Sequence, residues 1–122
     1  MAEHVILVAD DDADILLLVT TRLRRDGHDV VSASRGDEAL TLARRVRPAL
    51  AVLDVGMPGL DGFEVLEEIR RDESLAETRV MLLTAKAQES DVRRGFDAGA
   101  DAYVKKPFSP AELSARVGEL LG

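Results

Sequence analysis

The chain has 122 residues, 46% hydrophobic and 32% charged, with 23 acidic against 16 basic side chains and a net charge of −7. This fits one folded domain over residues 1–122 and excludes a disordered chain, and the acidic balance disfavours non-specific binding to nucleic acid or to an anionic membrane surface. There is no cysteine, no apolar run of membrane-spanning length and no basic stretch in the opening MAEHVILVADDD, which excludes a disulfide framework or thiolate metal site and leads to the expectation of a cytoplasmic protein without a signal peptide.

Short apolar runs alternate with longer amphipathic ones. Val5 to Ala9 reads as the first strand, and Ala13 to Arg25 as a helix with Ile15, Leu16, Val19 and Leu23 at helical spacing, stopped by Asp26-Gly27. Asp12 and Asp14 suit the N-terminal end of that helix. Val30 to Ala33 is a second strand. Ser34-Arg35-Gly36-Asp37 opens a helix to about Val46, with Ala39, Leu40 and Ala43 inward, ended by Arg47-Pro48. Leu50 to Leu53 is a continuous apolar strand, as expected when both faces are covered. Asp61-Gly62-Phe63-Glu64 reads as a capping box before a helix to about Arg71 that buries Phe63, Leu66 and Ile69. Val80 to Leu83 is the fourth strand, Glu89 to Ala98 a helix closed by Gly99, and Ala102 to Val104 the fifth strand. Ser109-Pro110-Ala111-Glu112 caps a last helix to about Leu121, with Leu113, Val117 and Leu120 inward.

Five strands alternating with five helices predict an α/β fold: a doubly wound, five-stranded parallel sheet of flavodoxin-like order 2-1-3-4-5. Nearly every strand runs into a chemically useful side chain. Asp10, Asp11 and Asp12 follow the first, Asp54 the third, Thr84 the fourth, and Lys105, Lys106 and Pro107 the fifth. In a parallel sheet these ends share one edge, where such folds bind ligands. Crowded carboxylates repel one another by several kcal/mol at an effective dielectric of about 20. A hard divalent cation, Mg²⁺ above all, relieves that repulsion with oxygen ligands alone. An aspartate ending an apolar strand is also poised as a nucleophile of the kind that becomes an aspartyl-phosphate. Thr84 and Lys106 would offer a neutral donor and a cation to phosphoryl oxygens.

Together ILVADDD, LDVGMPGLDGFEVL, MLLTA and GADAYVKKPF, in that order and spacing, resemble the receiver domain of two-component response regulators over essentially the whole chain. The resemblance implies that Asp54 accepts a phosphoryl group from a histidine kinase or phosphotransfer protein. It implies that Asp11, Asp54 and the backbone carbonyl of Gly56 ligate Mg²⁺ (or Mn²⁺), with Asp10 acting directly or through water. It makes Thr84 the residue that bonds the phosphoryl oxygen, and Lys106, not Lys105, the match to the family lysine, because it directly precedes the proline. Tyr103 is then the aromatic that turns inward as Thr84 moves. Phosphorylation would switch the surface of the fourth helix, fifth strand and fifth helix, where an output domain, another protein or a second copy docks. The domain would catalyse only its own phosphorylation and dephosphorylation, and would neither bind nucleic acid directly nor touch the membrane.

Three residues depart from the family pattern: Gly56, Lys86 and Ala102. Lys86, second after Thr84, is expected to pair with a phosphoryl oxygen and slow hydrolysis. Ala102 stands where a second acidic residue commonly follows GAD, which argues against a charged dimer face there. Three other readings compete. A flavodoxin-type flavin protein would need a phosphate-binding loop where three aspartates stand. A metal-dependent phosphatase with an aspartate nucleophile would need a second aspartate where Gly56 stands. A receiver fold kept as a binding module would leave Asp54, Thr84 and Lys106 without a task.

Overall fold

The computed structural model describes residues 4–85 and 89–122, with only the helical backbone described for 89–91. Lys86 lies outside the described residues. The elements are β1 (Val5–Ala9), α1 (Ala13–Arg25), β2 (Asp29–Ala33), α2 (Gly36–Val46), β3 (Leu50–Asp54), α3 (Gly62–Arg71), a short 3₁₀ turn (Glu73–Leu75), β4 (Arg79–Thr84), α4 (Glu89–Asp97), β5 (Ala102–Lys105) and α5 (Pro110–Leu121). The strands form one parallel sheet in the order β2-β1-β3-β4-β5. The predicted fold is therefore the observed one, with most element ends within one residue of expectation and the 3₁₀ turn added.

The sheet's two faces sort by residue parity, because successive strand side chains point to opposite sides. Leu7, Ala51, Leu53, Val80, Leu82 and Tyr103 face one core with Ala39, Leu40, Leu66 and Ile69 of α2 and α3. Ile6, Val8, Leu50, Val52, Met81, Leu83 and Val104 face the other with Val19, Leu23, Leu113 and Val117 of α1 and α5. Strand β3 is buried at every position, as its unbroken apolar run requires. Leu120, read as inward, and Ile15 and Leu16, at helical spacing with Val19 and Leu23, are only half-buried at the margin of the second core.

Local chemistry sets the helix ends that aim the loops. Asp12 caps α1 by accepting from the backbone N–H of Asp14 and Ile15. Asp61 and Glu64 form the reciprocal capping box of α3, and Ser109 caps α5 by accepting from the N–H of Glu112. Helix α2 differs from expectation. Its cap position is Arg35, whose side chain makes no cap hydrogen bond. Tertiary contact supplies the partner instead: the N–H of Gly36 donates to the Pro58 carbonyl at 3.0 Å. The loop after β3 thus lies directly on the start of α2, and a β-carbon at Gly36 would overlap the Leu60 carbonyl. Gly62 is as close to the end of β3, where a β-carbon would fall 2.6 Å from the Asp54 carbonyl oxygen.

These contacts make opposite predictions for two glycines. Gly36→Ala should lower stability by on the order of 2 kcal/mol, since backbone rather than a pliable side chain must yield. Gly118→Ala, in α5 with open space around it, should raise stability by about 1 kcal/mol through helix propensity. Urea midpoints at unchanged m-value measure both.

Candidate functional site

Four strand ends build the site. Asp10 follows β1 and is completely buried, while its neighbour Asp11 is exposed. Asp54 closes β3 and Thr84 closes β4, both buried. Lys106 follows β5 and is half-buried. Asp10, Asp54 and Lys106 each continue the alternation that faces α1 and α5, namely 6-8-10, 50-52-54 and 102-104-106. Thr84 and Tyr103 belong to the opposite parity, on the face covered by α2, α3 and α4. The charged chemistry and the hydroxyl–aromatic pair thus belong to different sides of one sheet edge.

The Lys106 ammonium ties the acidic group together. It donates to Asp10 Oδ2 at 2.9 Å and to Asp54 Oδ1 at 2.9 Å. The backbone N–H of Asp12 donates to Asp10 Oδ1 at 2.9 Å, so both oxygens of Asp10 are engaged. The Lys106-Pro107 peptide bond is cis, and the Lys106 N–H donates to the Thr84 carbonyl at 2.7 Å, anchoring this turn on β4. Lys105 is exposed.

One carboxylate oxygen each of Asp10, Asp11 and Asp54 lies within 4.8 Å of the others. Asp11 and Asp54 line a cleft of about 450 Å³ together with Gly56, Phe63, Thr84 and Lys106, while Asp10 is completely buried and does not line it. The donor set is hard, three carboxylates with Gly56 lining the same cleft, and fits Mg²⁺ in its chemistry. At Gly56 even a β-carbon would sit 3.8 Å from Asp54 Oδ2, so the glycine leaves that flank of the carboxylate uncovered.

Burial pushes the Asp54 carboxyl above its ordinary range, and the Asp10 charge adds to the rise, against the lowering effect of the Lys106 hydrogen bond. Burial pulls Lys106 down, but its bonds to Asp10 and Asp54 outweigh this and hold the ammonium above its usual value. The ionised acid is thus held at a cost and the ammonium is held firmly.

The structure brings Asp11, Asp54, Gly56, Thr84 and Lys106 to one cleft, and holds the buried Asp10 on Lys106 with its carboxylate near those of Asp11 and Asp54. Tyr103 sits further down β5, buried, with its ring 6.5 Å from that of Phe96. The sequence reading gave Phe63 only a core role, yet it also walls the cleft, and the Arg94 guanidinium lies 4.2 Å over its ring. Helical periodicity marks Phe63 as buried but carries no sign of what lies beyond the helix. At the opposite end of the sheet Arg70 donates to the carbonyls of Gly99 and Thr78 and to Asp101, which also accepts from the Val80 N–H. That clasp joins α3 to β4 and to the turn before β5, and it uses Asp101 internally.

A family model for the response regulator receiver domain matches residues 6–118. The alkaline phosphatase synthesis transcriptional regulatory protein PhoP of Bacillus subtilis (strain 168) is 46% identical over 116 residues, covering 95% of this chain and 48% of the relative. The chain spans about half the length of the curated relatives it matches. Among solved structures, the chemotaxis response regulator CheY4 of Vibrio cholerae superposes with a TM-score of 0.93 at 29% identity, covering 98% of this chain and 100% of that one. The receiver domain of a sensor histidine kinase from Pseudomonas aeruginosa, solved with a magnesium ion coordinated in the active site cleft, superposes at 0.90 with 30% identity over 99% of each chain.

The raised Asp54 carboxyl predicts a pH signature. A carboxyl that binds its proton more tightly when folded favours the fold below the ordinary aspartate range, and that contribution is lost as pH rises through the folded-state value. Asp54→Asn should therefore melt at a higher temperature than the parent at neutral pH, with the gap closing as the pH is brought down toward that range. Thermal melts across the acid-to-neutral interval test this, and a gap that widens on acidification contradicts it.

Proposed function

This chain belongs to the family of response regulator receiver domains, and we propose on that premise that Asp54 is its phosphoacceptor. The observation that supports this most directly is the pair of 2.9 Å bonds that hold the Lys106 ammonium on Asp54 and Asp10 at the mouth of an oxygen-lined cleft. An Asp54 oxygen attacks the phosphorus of a phosphohistidine in line, and the breaking P–N bond leaves its electron pair on the imidazole of the donor. Lys106 orients the carboxylate before attack and meets the negative charge afterwards. The Thr84 hydroxyl bonds another of the new oxygens.

The residues that would hold the cation are Asp11, Asp54 and the Gly56 carbonyl, with Asp10 directly or through water. When bound, Mg²⁺ (or Mn²⁺) neutralises carboxylate charge and the charge developing on the transferred group. Phosphorylation biases the fold through differential contacts, which Thr84 and Lys106 supply. Thr84 lies on the same sheet face as Tyr103, one strand away, with Leu82 paired to Tyr103 and Thr84 to Lys105. Movement of Thr84 is thereby passed to the ring and on to the surface of α4, β5 and α5, where an output domain, another protein or a second copy would dock. The phosphoryl donor is a histidine kinase or phosphotransfer protein, and the domain turns over only its own aspartyl-phosphate. Among the described residues no helix is long and apolar enough to cross a membrane, in keeping with action in the cytoplasm. We read residues 1–122 as a single receiver domain that does not itself bind nucleic acid.

Incubation with acetyl phosphate and Mg²⁺ should add one phosphoryl group to the intact mass of the parent and none to Asp54→Asn. Sustained release of phosphate from a generic phosphomonoester would instead favour the phosphatase reading. Independently of labelling, Mg²⁺ at about a hundred times its dissociation constant should stabilise the parent by about 2.7 kcal/mol. That gain should shrink sharply in Asp54→Asn, as read by thermal shift.

A further inference from the structure

The Tyr103 ring occupies a seat that depends on one missing side chain. The ring is buried against α4. A β-carbon at Gly95 would lie 3.1 Å from Tyr103 Cδ2, 3.2 Å from its Cε2 and 3.0 Å from Leu82 Cδ1. Hydrogen fits at that approach, a methyl forces a small displacement, and anything larger needs the space the ring holds. The half-exposed Phe96 ring lies 6.5 Å from the Tyr103 ring, tilted against it.

Backbone geometry does not call for this glycine. Gly95 lies inside α4 and is absent from the positions of positive φ, so any residue could adopt its conformation. A glycine inside a helix costs stability relative to alanine. What it gains here is close approach of the α4 backbone to the aromatic ring. That contact lies at the junction of α4 and β5, between the Thr84 end of the sheet and the exposed surface of α4.

We propose that Gly95 is a positioning residue for the switch: lacking a side chain, it admits the Tyr103 ring beneath α4. The size of residue 95 sets the balance between ring-in and ring-out arrangements. The inference rests on the reading of Tyr103 as the switching aromatic, and it adds what determines where the ring goes. A larger residue 95 drives the ring toward solvent and changes the face that α4 and β5 present to a partner. The Asp54 cleft, built by β1, β3, β4 and the turn after β5, keeps its own contacts.

The chain has one tyrosine and no tryptophan, so its intrinsic emission reports this ring alone. The experiment is acrylamide quenching of the parent, Gly95→Ala and Gly95→Leu, with acetyl phosphate labelling followed by intact mass on the same preparations. The quenching constant should rise roughly twofold or more in Gly95→Leu as the ring-out population grows, and less in Gly95→Ala. The labelled fraction at Asp54 should stay at the parental level in both. Quenching in folded Gly95→Leu equal to that of the parent overturns the proposal. Absence of labelling in the parent is the separate result that would sink the phosphoacceptor reading. Should Gly95→Leu not fold, thermal melts of Gly95→Ala in the parent and in a Tyr103→Ala background decide the matter. The alanine should lower the midpoint more beside the ring than once the ring is gone, where only the Leu82 contact is left, whereas an equal effect in both backgrounds refutes the shared seat.

Discussion

The bridge from the Lys106 ammonium to Asp10 and Asp54 is the constraint around which this structure is arranged. Two buried carboxylates and a half-buried ammonium are costly to take out of water, and a buried ionic cluster of this kind rarely adds net stability over apolar packing. Its persistence makes sense as chemistry. The ammonium keeps Asp54 from drifting, and burial keeps that carboxyl reluctant to hold its charge alone. The third member, Asp11, is exposed, which would let a divalent cation reach the cluster from solvent.

On the reading proposed for Asp54, the parallel sheet would convert that local arrangement into a switch. Strand parity sends Asp10, Asp54 and Lys106 along the face of α1 and α5, and Thr84 and Tyr103 along the face of α2, α3 and α4. A phosphoryl group on Asp54 would stand at the sheet edge where both meet. Its oxygens can be shared between a charge on one side and a hydroxyl on the other. The second face leads through Tyr103 and Leu82 to the tightly packed contact with Gly95 under α4. Packed contacts of this kind shift between discrete arrangements rather than deform smoothly. The Arg94–Phe63 stack fastens the same helix to the wall of the cleft.

Much of this was legible in the chain. Apolar runs ending in Asp10, Asp54, Thr84 and Lys106 located the site, because a parallel sheet puts all strand ends of one polarity on one edge. Capping residues located helix starts where the side chain does the capping, as at Asp12, Asp61 and Ser109. The start of α2 was less legible, since its first N–H is satisfied by the Pro58 carbonyl from a distant loop. The same blindness hid the second role of Phe63, the stack of Arg94 and the clasp of Arg70 on Asp101. Each joins residues far apart in sequence, and no periodicity records such a meeting.

By itself the sequence determined the order and kind of the elements, the two-faced core and the identity of the side chains delivered to the active edge. Those follow from hydrophobic period, turn chemistry and the handedness of crossovers, all of which act over short stretches of chain. Tertiary structure alone decided that Lys106 reaches both Asp10 and Asp54, that both oxygens of Asp10 are taken, and that Tyr103 lies against a bare stretch of α4 backbone. These are distances between segments of different elements, and they are set by how closely packed layers approach once the whole sheet and its helices are in place.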